Sequence, residues 1–152
     1  MNYLAHILLS GDNPEIIIGN FMADSIKGKQ YKIYPEQVQI GVLLHRHIDT
    51  FTDNHHIVRQ STKRLHKKYS HYSGVIVDIF YDHFLAKNWD LYSAIPLDLF
   101  VQEVYQLFNN SFCYSYCFGN SRWTFLYFSI HILIKSDSHT SCSPIRSLAI
   151  DS

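Results

Sequence analysis

The chain has 152 residues, of which 47% are hydrophobic and 17% are charged, and its formal net charge at pH 7 is zero. This length supports one domain with a substantial core but not two, and the composition excludes a disordered chain. A net charge of zero argues against a protein that binds nucleic acids or membrane surfaces through its overall charge.

Apolar residues recur at helical spacing along the first 110 residues, and no segment alternates long enough to predict a strand. Glycine and proline separate the periodic segments, and Pro14 and Pro35 stand where helices should open. Six helices are expected, at about residues 2–10, 14–26, 34–49 or beyond, 54–69, 74–88 and 96–108. The expected fold is a single all-α domain.

Polar groups interrupt the apolar faces of the first three helices. His6 lies inside the apolar first helix, and Asp24 lies near the end of the second. In the third helix Val38, Val42 and His45 are spaced at intervals of four and three residues. This spacing predicts one face directed at the core, with a histidine on it.

The later helices differ from one another in character. The fourth is strongly basic, the sixth carries a regular apolar stripe, and the fifth is apolar at many positions that should be buried. Those positions are Val75, Ile76, Ile79, Phe80, Phe84 and Leu85. Asp78 and Asp82 lie among them, and a carboxylate on an apolar helix face is costly unless it is paired or bound to a metal.

Histidines and aspartates are concentrated where the pattern predicts core. The chain has ten histidines, and eight of them lie in its first 83 residues. His45 and Asp49 share one helix face, where they could bind one cation or form an ordinary ion pair. His6 taken alone fits a hydrogen-bonded core residue better than a ligand. His6 converges with His45, Asp49, Asp24 and Asp82, however, and this convergence favours a metal site built from inward-facing side chains.

A mixed shell of imidazoles and carboxylates favours Mn²⁺, Fe²⁺ or Zn²⁺, with Mg²⁺ as the alternative where carboxylates and waters dominate. Such an ion would polarise a phosphoryl oxygen and supply a hydroxide nucleophile near neutral pH. Arg46 could hold the non-bridging phosphate oxygens, because its planar guanidinium matches them. No phosphate-binding glycine loop, serine nucleophile elbow or paired-cysteine zinc motif is present.

Five short blocks within about residues 1–110 carry a resemblance to a known family. They are MNYLAH at 1–6, GNFMAD at 19–24, HRHID at 45–49, TDN at 52–54 and DHFL at 82–85, followed by Trp89. In this order and spacing they resemble the acyl carrier protein phosphodiesterases, a divergent branch of the HD-type metal-dependent hydrolases. The resemblance implies an HD-like helical domain.

The resemblance also implies an activity and a set of site residues. The reaction would hydrolyse the phosphodiester that joins 4′-phosphopantetheine to a serine of holo-acyl carrier protein, with Mn²⁺ as the metal. The implied metal-site residues are His6, Asp24, His45, Asp49, Asp82 and His83. Catalytic roles are implied for Asp24, His45, Asp49, Asp82 and Arg46, with Asp53 as a weaker candidate for phosphate support.

A basic segment on the fourth helix offers a surface for a protein substrate. Residues 59–68 contain five cationic side chains and no acid, and these are Arg59, Lys63, Arg64, Lys67 and Lys68. Since acyl carrier proteins are acidic, this patch could attract them electrostatically. The alternative is an ordinary solvated helix face.

Residues 111–152 differ in composition from the part before them. They contain ten serines, all three cysteines and five charged residues, without sustained helical periodicity. We expect a helical phosphodiesterase core over 1–110 that is incomplete at its C-terminal end, followed by an atypical tail. A frame-shifted or disordered tail is one hypothesis and natural divergence is the other. A core that lacks its last helices would expose apolar surface and could be inactive.

Two other functions are compatible with the sequence. One is an HD-like phosphohydrolase acting on a nucleotide or another small phosphoester, and the other is a non-catalytic helical protein that binds a carrier protein or a metal. The start of the chain lacks the basic segment of a signal peptide, and no apolar run is long enough to span a bilayer. Cytoplasm is therefore the expected location, and the sequence does not indicate an oligomeric state.

Overall fold

The backbone is built from helices joined by short turns. The computed structural model describes residues 2–111, and within this range it contains helices and no strand. The α-helices are α1 (Tyr3–Leu8), α2 (Pro14–Met22), α3 (Glu36–Asn54), α4 (His56–Tyr69), α5 (Ser73–Lys87) and α6 (Leu97–Asn110). Single 3₁₀ turns lie at Ala23–Ser25, Gln30–Ile33, Ser70–Tyr72 and Trp89–Leu91. The predicted all-α fold is confirmed.

The start of α2 follows from local turn chemistry. The side-chain oxygen of Asn13 accepts hydrogen bonds from the backbone N–H groups of Glu15 and Ile16, at 3.0 and 3.3 Å. Pro14 occupies the first helical position, where its missing N–H costs nothing. The helix was expected to continue to about residue 26, but it ends at Met22 and tightens into the 3₁₀ turn that contains Asp24.

Helices α2 and α3 form the most extensive helix pair, and their backbones touch. A Cβ atom added to Gly19 would overlap the backbone carbonyl of Val38, and one added to Gly41 would overlap the carbonyl oxygen of Ile16. Only glycine at both positions permits this close approach. The crossing brings the last turn of α2 against the middle of α3, where the candidate site lies.

Two groups of buried apolar side chains hold four of the helices together. The first joins α1, α2 and α6 through Ile7, Ile17, Val101, Val104 and Phe108. The second joins the end of α2 to α3 through Met22, Ala23, Ile26, Val38 and Val42. The predicted apolar stripe of α6 and the buried face of α3 are therefore confirmed.

The predicted burial of α5 is wrong for much of its surface. Val75, Ile79, Phe80 and Phe84 are each 51–53% exposed. The face that turns inward instead carries Ser73, Val77 and Asp82. Apolar spacing cannot identify the covered face of a helix that is apolar nearly all round. None of the helices among the described residues has the length and apolar character needed to cross a membrane.

The contact between α2 and α3 can be tested with a pair of glycine substitutions. Gly41→Ala should lower the free energy of unfolding by about 2 kcal/mol, because the helices must separate to admit a methyl group. Gly74→Ala, in α5, should raise it by about 0.5 kcal/mol, because its added Cβ meets open space. Urea denaturation followed by circular dichroism measures both. Equal effects of the two substitutions would show that the close crossing does not limit stability.

Candidate metal centre

Three consecutive helices supply the polar groups of the candidate site. His6 comes from α1, Asn20 from α2 and Asp24 from the 3₁₀ turn that follows α2. His45 and Asp49 come from successive turns of α3. His6, Asn20 and His45 are buried, and Asn20 is fully inaccessible to solvent. The two histidines therefore form the floor of the site, and the more exposed carboxylates of Asp24 and Asp49 form its rim.

The ring nitrogens and carboxylate oxygens converge on a small volume. His6, His45 and Asp49 each offer a ligand atom, and these atoms lie within 4.8 Å of one another. The Nε2 atom of His6 lies 3.2 Å from Asp49 Oδ1, and that of His45 lies 3.1 Å from Asp49 Oδ2. His45 Nε2 also lies 3.2 Å from Asp24 Oδ1. Among the described residues, His6, His45 and Asp49 form a group that could hold a metal ion.

On the side away from the carboxylates, both imidazole rings contact the side-chain amide of Asn20. The Nδ1 atoms of His6 and His45 each lie 3.0 Å from Asn20 Oδ1, and the two rings stack with centroids 4.2 Å apart. The Nδ2 group of Asn20 donates to the backbone oxygen of His6 and to Ser10 Oγ, at 2.9 and 2.8 Å. This network leaves the Nε2 atoms as the ring nitrogens that face the carboxylates.

The donor set fits a divalent cation. With Nδ1 protonated, a neutral imidazole presents a lone pair at Nε2, and the facing carboxylate oxygens present lone pairs as well. Two acceptors at 3.1–3.2 Å repel each other unless a proton or a cation lies between them. Neutral imidazole nitrogen and carboxylate oxygen are both established ligands of first-row transition metals.

The carboxylates around His45 favour its protonated form. Burial alone would lower the pKa of His45, but its hydrogen bonds with Asp24 and Asp49 and the charges of both raise it to about 9. Burial would likewise raise the pKa of Asp49, but hydrogen bonds with His45 and His6 hold it well below its usual range. Metal binding at this site would therefore compete with protons and release them.

Asp82 lies next to this group rather than within it. Its two carboxylate oxygens accept hydrogen bonds from the backbone N–H groups of Leu4 and Ala5, at 3.1 and 3.2 Å, in the first turn of α1. Burial raises the pKa of Asp82 to about 6, although these hydrogen bonds oppose the shift. The carboxylate thus holds the helix that carries His6. Its predicted roles as a metal ligand and in catalysis remain predictions.

The other predicted site residues lie around this centre. Arg46 donates to the carbonyl oxygen of Ile26 at 3.1 Å and lies over the ring of Tyr31, with 5.2 Å from its guanidinium carbon to the ring centroid. His83 is half-buried and contacts the ring of Phe84 edge-on. Neither belongs to the three-residue group, so the predicted phosphate contact of Arg46 and metal contact of His83 remain predictions.

The basic residues of α4 are all exposed, and three of them line an open groove of about 600 Å³. Arg59, Lys63 and Lys67 follow one another at four-residue intervals along this groove. Asp53, one helical turn beyond Asp49 on α3, also lines it. Four residues of an α-helix rise about 6 Å, so the groove begins close to the candidate metal centre. Arg64 and Lys68 lie on α4 outside the groove lining.

Asn20 is the site residue that the sequence analysis missed. Its side chain connects both histidines, yet an asparagine has no charge and no characteristic metal-ligand spacing. A usable signal was present, because Asn20 and Asp24 are four residues apart and Asn20 interrupts the apolar part of α2 that begins at Ile16.

The fold and the site together define an all-helical protein with a buried histidine pair and a carboxylate rim suited to a divalent ion. The chain belongs to the acyl carrier protein phosphodiesterase family, whose model matches residues 1–115. This match contains every residue of the candidate site. It ends within five residues of Asn110, where the composition of the chain changes.

Curated relatives show similarity over part of their length. An acyl carrier protein phosphodiesterase from Yersinia pestis is 33% identical over 90 residues, which are 59% of this chain and 47% of the relative. One from Klebsiella pneumoniae (strain 342) is 34% identical over 107 residues, which are 70% of this chain and 55% of the relative. The chain thus spans about half the length of the curated relatives it matches. No solved structure shows significant similarity to it.

The role of Asp82 can be tested without metal. Asp82→Ala should lower the free energy of unfolding in EDTA by about 2 kcal/mol, because it leaves two backbone N–H groups of α1 without their acceptor. Asp90→Ala, at an exposed position just after α5, should change it by less than about 0.5 kcal/mol. Urea denaturation measures both. Unchanged stability of Asp82→Ala combined with lost Mn²⁺ binding would instead support direct ligation by Asp82.

Proposed function

We propose that the chain is a metal-dependent phosphodiesterase that hydrolyses holo-acyl carrier protein to apo-acyl carrier protein and 4′-phosphopantetheine. The observation that carries the proposal is the convergence of two imidazole Nε2 atoms and the Asp49 carboxylate on one small volume. Family membership supports the choice of substrate, because the relatives bear the name of this activity. A cytoplasmic location, where carrier proteins would be met, is part of the proposal.

His6, His45 and Asp49 would hold the metal, with Asp24 beside them at 3.2 Å from His45. The mixture of imidazole nitrogen and carboxylate oxygen suits Mn²⁺, Fe²⁺ or Zn²⁺, with Mg²⁺ as a further alternative, and we favour Mn²⁺ because the resemblance to the family implies it. When bound, the ion would polarise a phosphoryl oxygen and increase the acidity of water at the site.

The side chains of the site would divide the remaining work. The carboxylate of Asp24 lies at the rim, where it could accept the proton of the attacking water. Water adds to phosphorus, the bond from phosphorus to the serine oxygen of the carrier breaks, and that oxygen takes up a proton. The carrier leaves with a free serine hydroxyl, and the phosphate leaves on 4′-phosphopantetheine. Arg46, held by Ile26 near Asp24, would contact the phosphate with its other N–H groups.

The groove on α4 would receive the acidic protein. Its lining carries three cations at one-turn intervals, and it begins one helical turn from Asp49. A carrier protein bound along this groove would lie close enough to extend its phosphopantetheine arm toward the metal centre. Charge complementarity of this kind raises the rate of encounter more than it raises affinity.

The reaction can be followed from the mass of the carrier protein. Incubation with Mn²⁺ should remove the phosphopantetheine mass from holo-acyl carrier protein, and a chelator should prevent the loss. His45→Ala and Asp49→Ala should lower turnover and Mn²⁺ occupancy together, by more than about 100-fold. Substitution of residues that only hydrogen-bond to metal ligands already lowers metal affinity or activity 10- to 100-fold.

His47→Ala is the matched control for these variants, since His47 is an exposed histidine on the same helix. It should leave the rate within about twofold of the unmodified protein, as is usual for exposed positions. A folded, Mn²⁺-loaded protein that cleaves a small phosphodiester but not the carrier would contradict the proposed substrate. A protein that cleaves neither would be a binding protein.

Paired charge reversals can distinguish the contribution of the groove to carrier binding from that of the rest of the basic helix. Lys63→Glu with Lys67→Glu changes two groove residues and should raise KM for the carrier about 10-fold or more, with little change for a small phosphodiester. Arg64→Glu with Lys68→Glu makes the same change in net charge outside the groove and should have a smaller effect. The difference should shrink at high salt. Equal effects would indicate general attraction rather than a docking groove.

A further inference from the structure

The side chain of Asn20 reaches both histidines from the side opposite Asp49. It is fully buried on α2, where the close crossing with α3 sets it against His45. The imidazole rings of His6 and His45 stack with an interplanar angle of 28°. Both Nδ1 atoms are 3.0 Å from Asn20 Oδ1.

The hydrogen-bond network assigns the orientation of this amide. The backbone oxygen of His6 can only accept, so the atom of Asn20 that lies 2.9 Å from it must be the donor, Nδ2. The second N–H of the same group donates to Ser10 Oγ at 2.8 Å. The Ser10 hydroxyl in turn donates to the backbone oxygen of His6, also at 2.8 Å. A reversed amide would place two acceptors against each other.

The orientation of the amide determines which nitrogen carries the proton in each ring. Since Asn20 Oδ1 is an acceptor, both Nδ1 atoms must be the donors in their hydrogen bonds. Each neutral ring then has its lone pair at Nε2, which is the atom that faces Asp49. In a neutral ring with the proton on Nε2, that atom could not ligate, and the buried amide oxygen would lose a donor.

We propose that Asn20 is a positioning residue that fixes the tautomer of both His6 and His45, so that both Nε2 atoms are held ready for one cation. The inference rests on the metal site of the proposed function but not on its substrate. In most metal sites each histidine ligand has its own hydrogen-bond partner for the second ring nitrogen, whereas here one amide oxygen serves both rings.

The nitrogen chemical shifts of protein labelled with ¹⁵N-histidine test this directly. In the Zn²⁺-loaded wild-type chain, both rings should show protonated Nδ1 and metal-shifted Nε2. A proton on Nε2 of either ring, a metal shift on either Nδ1, or no binding of Zn²⁺ at all would overturn the proposal without any variant being needed.

Two substitutions at Asn20 separate positioning from packing. Asn20→Leu removes the acceptor and should weaken Zn²⁺ binding 10- to 100-fold, with loss of the Nδ1–H signature. Asn20→Asp keeps an acceptor for both rings but loses the donor to the backbone oxygen of His6, so it should lower stability while retaining the signature. Titration calorimetry and the ¹⁵N spectra measure these effects. A folded Asn20→Leu protein with wild-type tautomers and Zn²⁺ affinity would overturn the proposal.

Ser10→Ala is the control for the general loss of a buried hydrogen bond. It removes one partner of Asn20 Nδ2 but leaves Asn20 Oδ1 and both rings in place. It should lower the thermal midpoint while preserving the tautomers and keeping Zn²⁺ affinity within about threefold. A loss of affinity equal to that of Asn20→Leu would assign the effect to stability alone. Correct tautomers and tight Zn²⁺ binding without release of phosphopantetheine would leave this inference standing and reject the proposed substrate.

Discussion

The close contact between α2 and α3 is the constraint on which the site depends. Gly19 and Gly41 let the two backbones touch, and the residues next to these glycines are therefore brought into each other's reach. Asn20 follows Gly19 directly, and His45 lies one turn beyond Gly41. A wider crossing would lengthen the 3.0 Å bond between them and separate Asp24 from His45. Helix packing and site geometry thus have one common cause.

The buried polar groups of the site satisfy one another. Among the described residues, no buried side-chain nitrogen or oxygen lacks a hydrogen-bond partner. Asn20 joins the two rings on one side, and Asp49 joins them on the other. Because an unpaired buried polar group costs about 1–3 kcal/mol, such a network is stable only when it is complete. The Nε2 side of each ring is then the side that faces the carboxylates.

Much of the fold and part of the site could be predicted from sequence, for identifiable reasons. Helical periodicity and the positions of proline predicted six helices, and the i, i+4 spacing of His45 and Asp49 predicted their shared face. His6 could be joined to them by its place on an apolar helix face and by the resemblance to a family, but not by spacing, since its contacts are tertiary. Asn20 was missed because its role depends on the contact between α2 and α3. The exposed face of α5 was misjudged because periodicity reports apolar character and not what covers it.

The hydrogen bonds from α1 to Asp82 have a consequence for the order in which the molecule is assembled. They join residues 77 and 78 positions apart, whereas the bonds from Asn20 to the two histidines span 14 and 25. During synthesis, the groups on α1, α2 and α3 emerge well before α5 does. A six-residue helix is too short to persist alone in water, so α1 depends on partners from other helices, and Asp82 supplies its two hydrogen bonds only after α5 has been synthesised. His6, the first histidine of the site in the chain, is therefore supported in part by a residue that is synthesised much later.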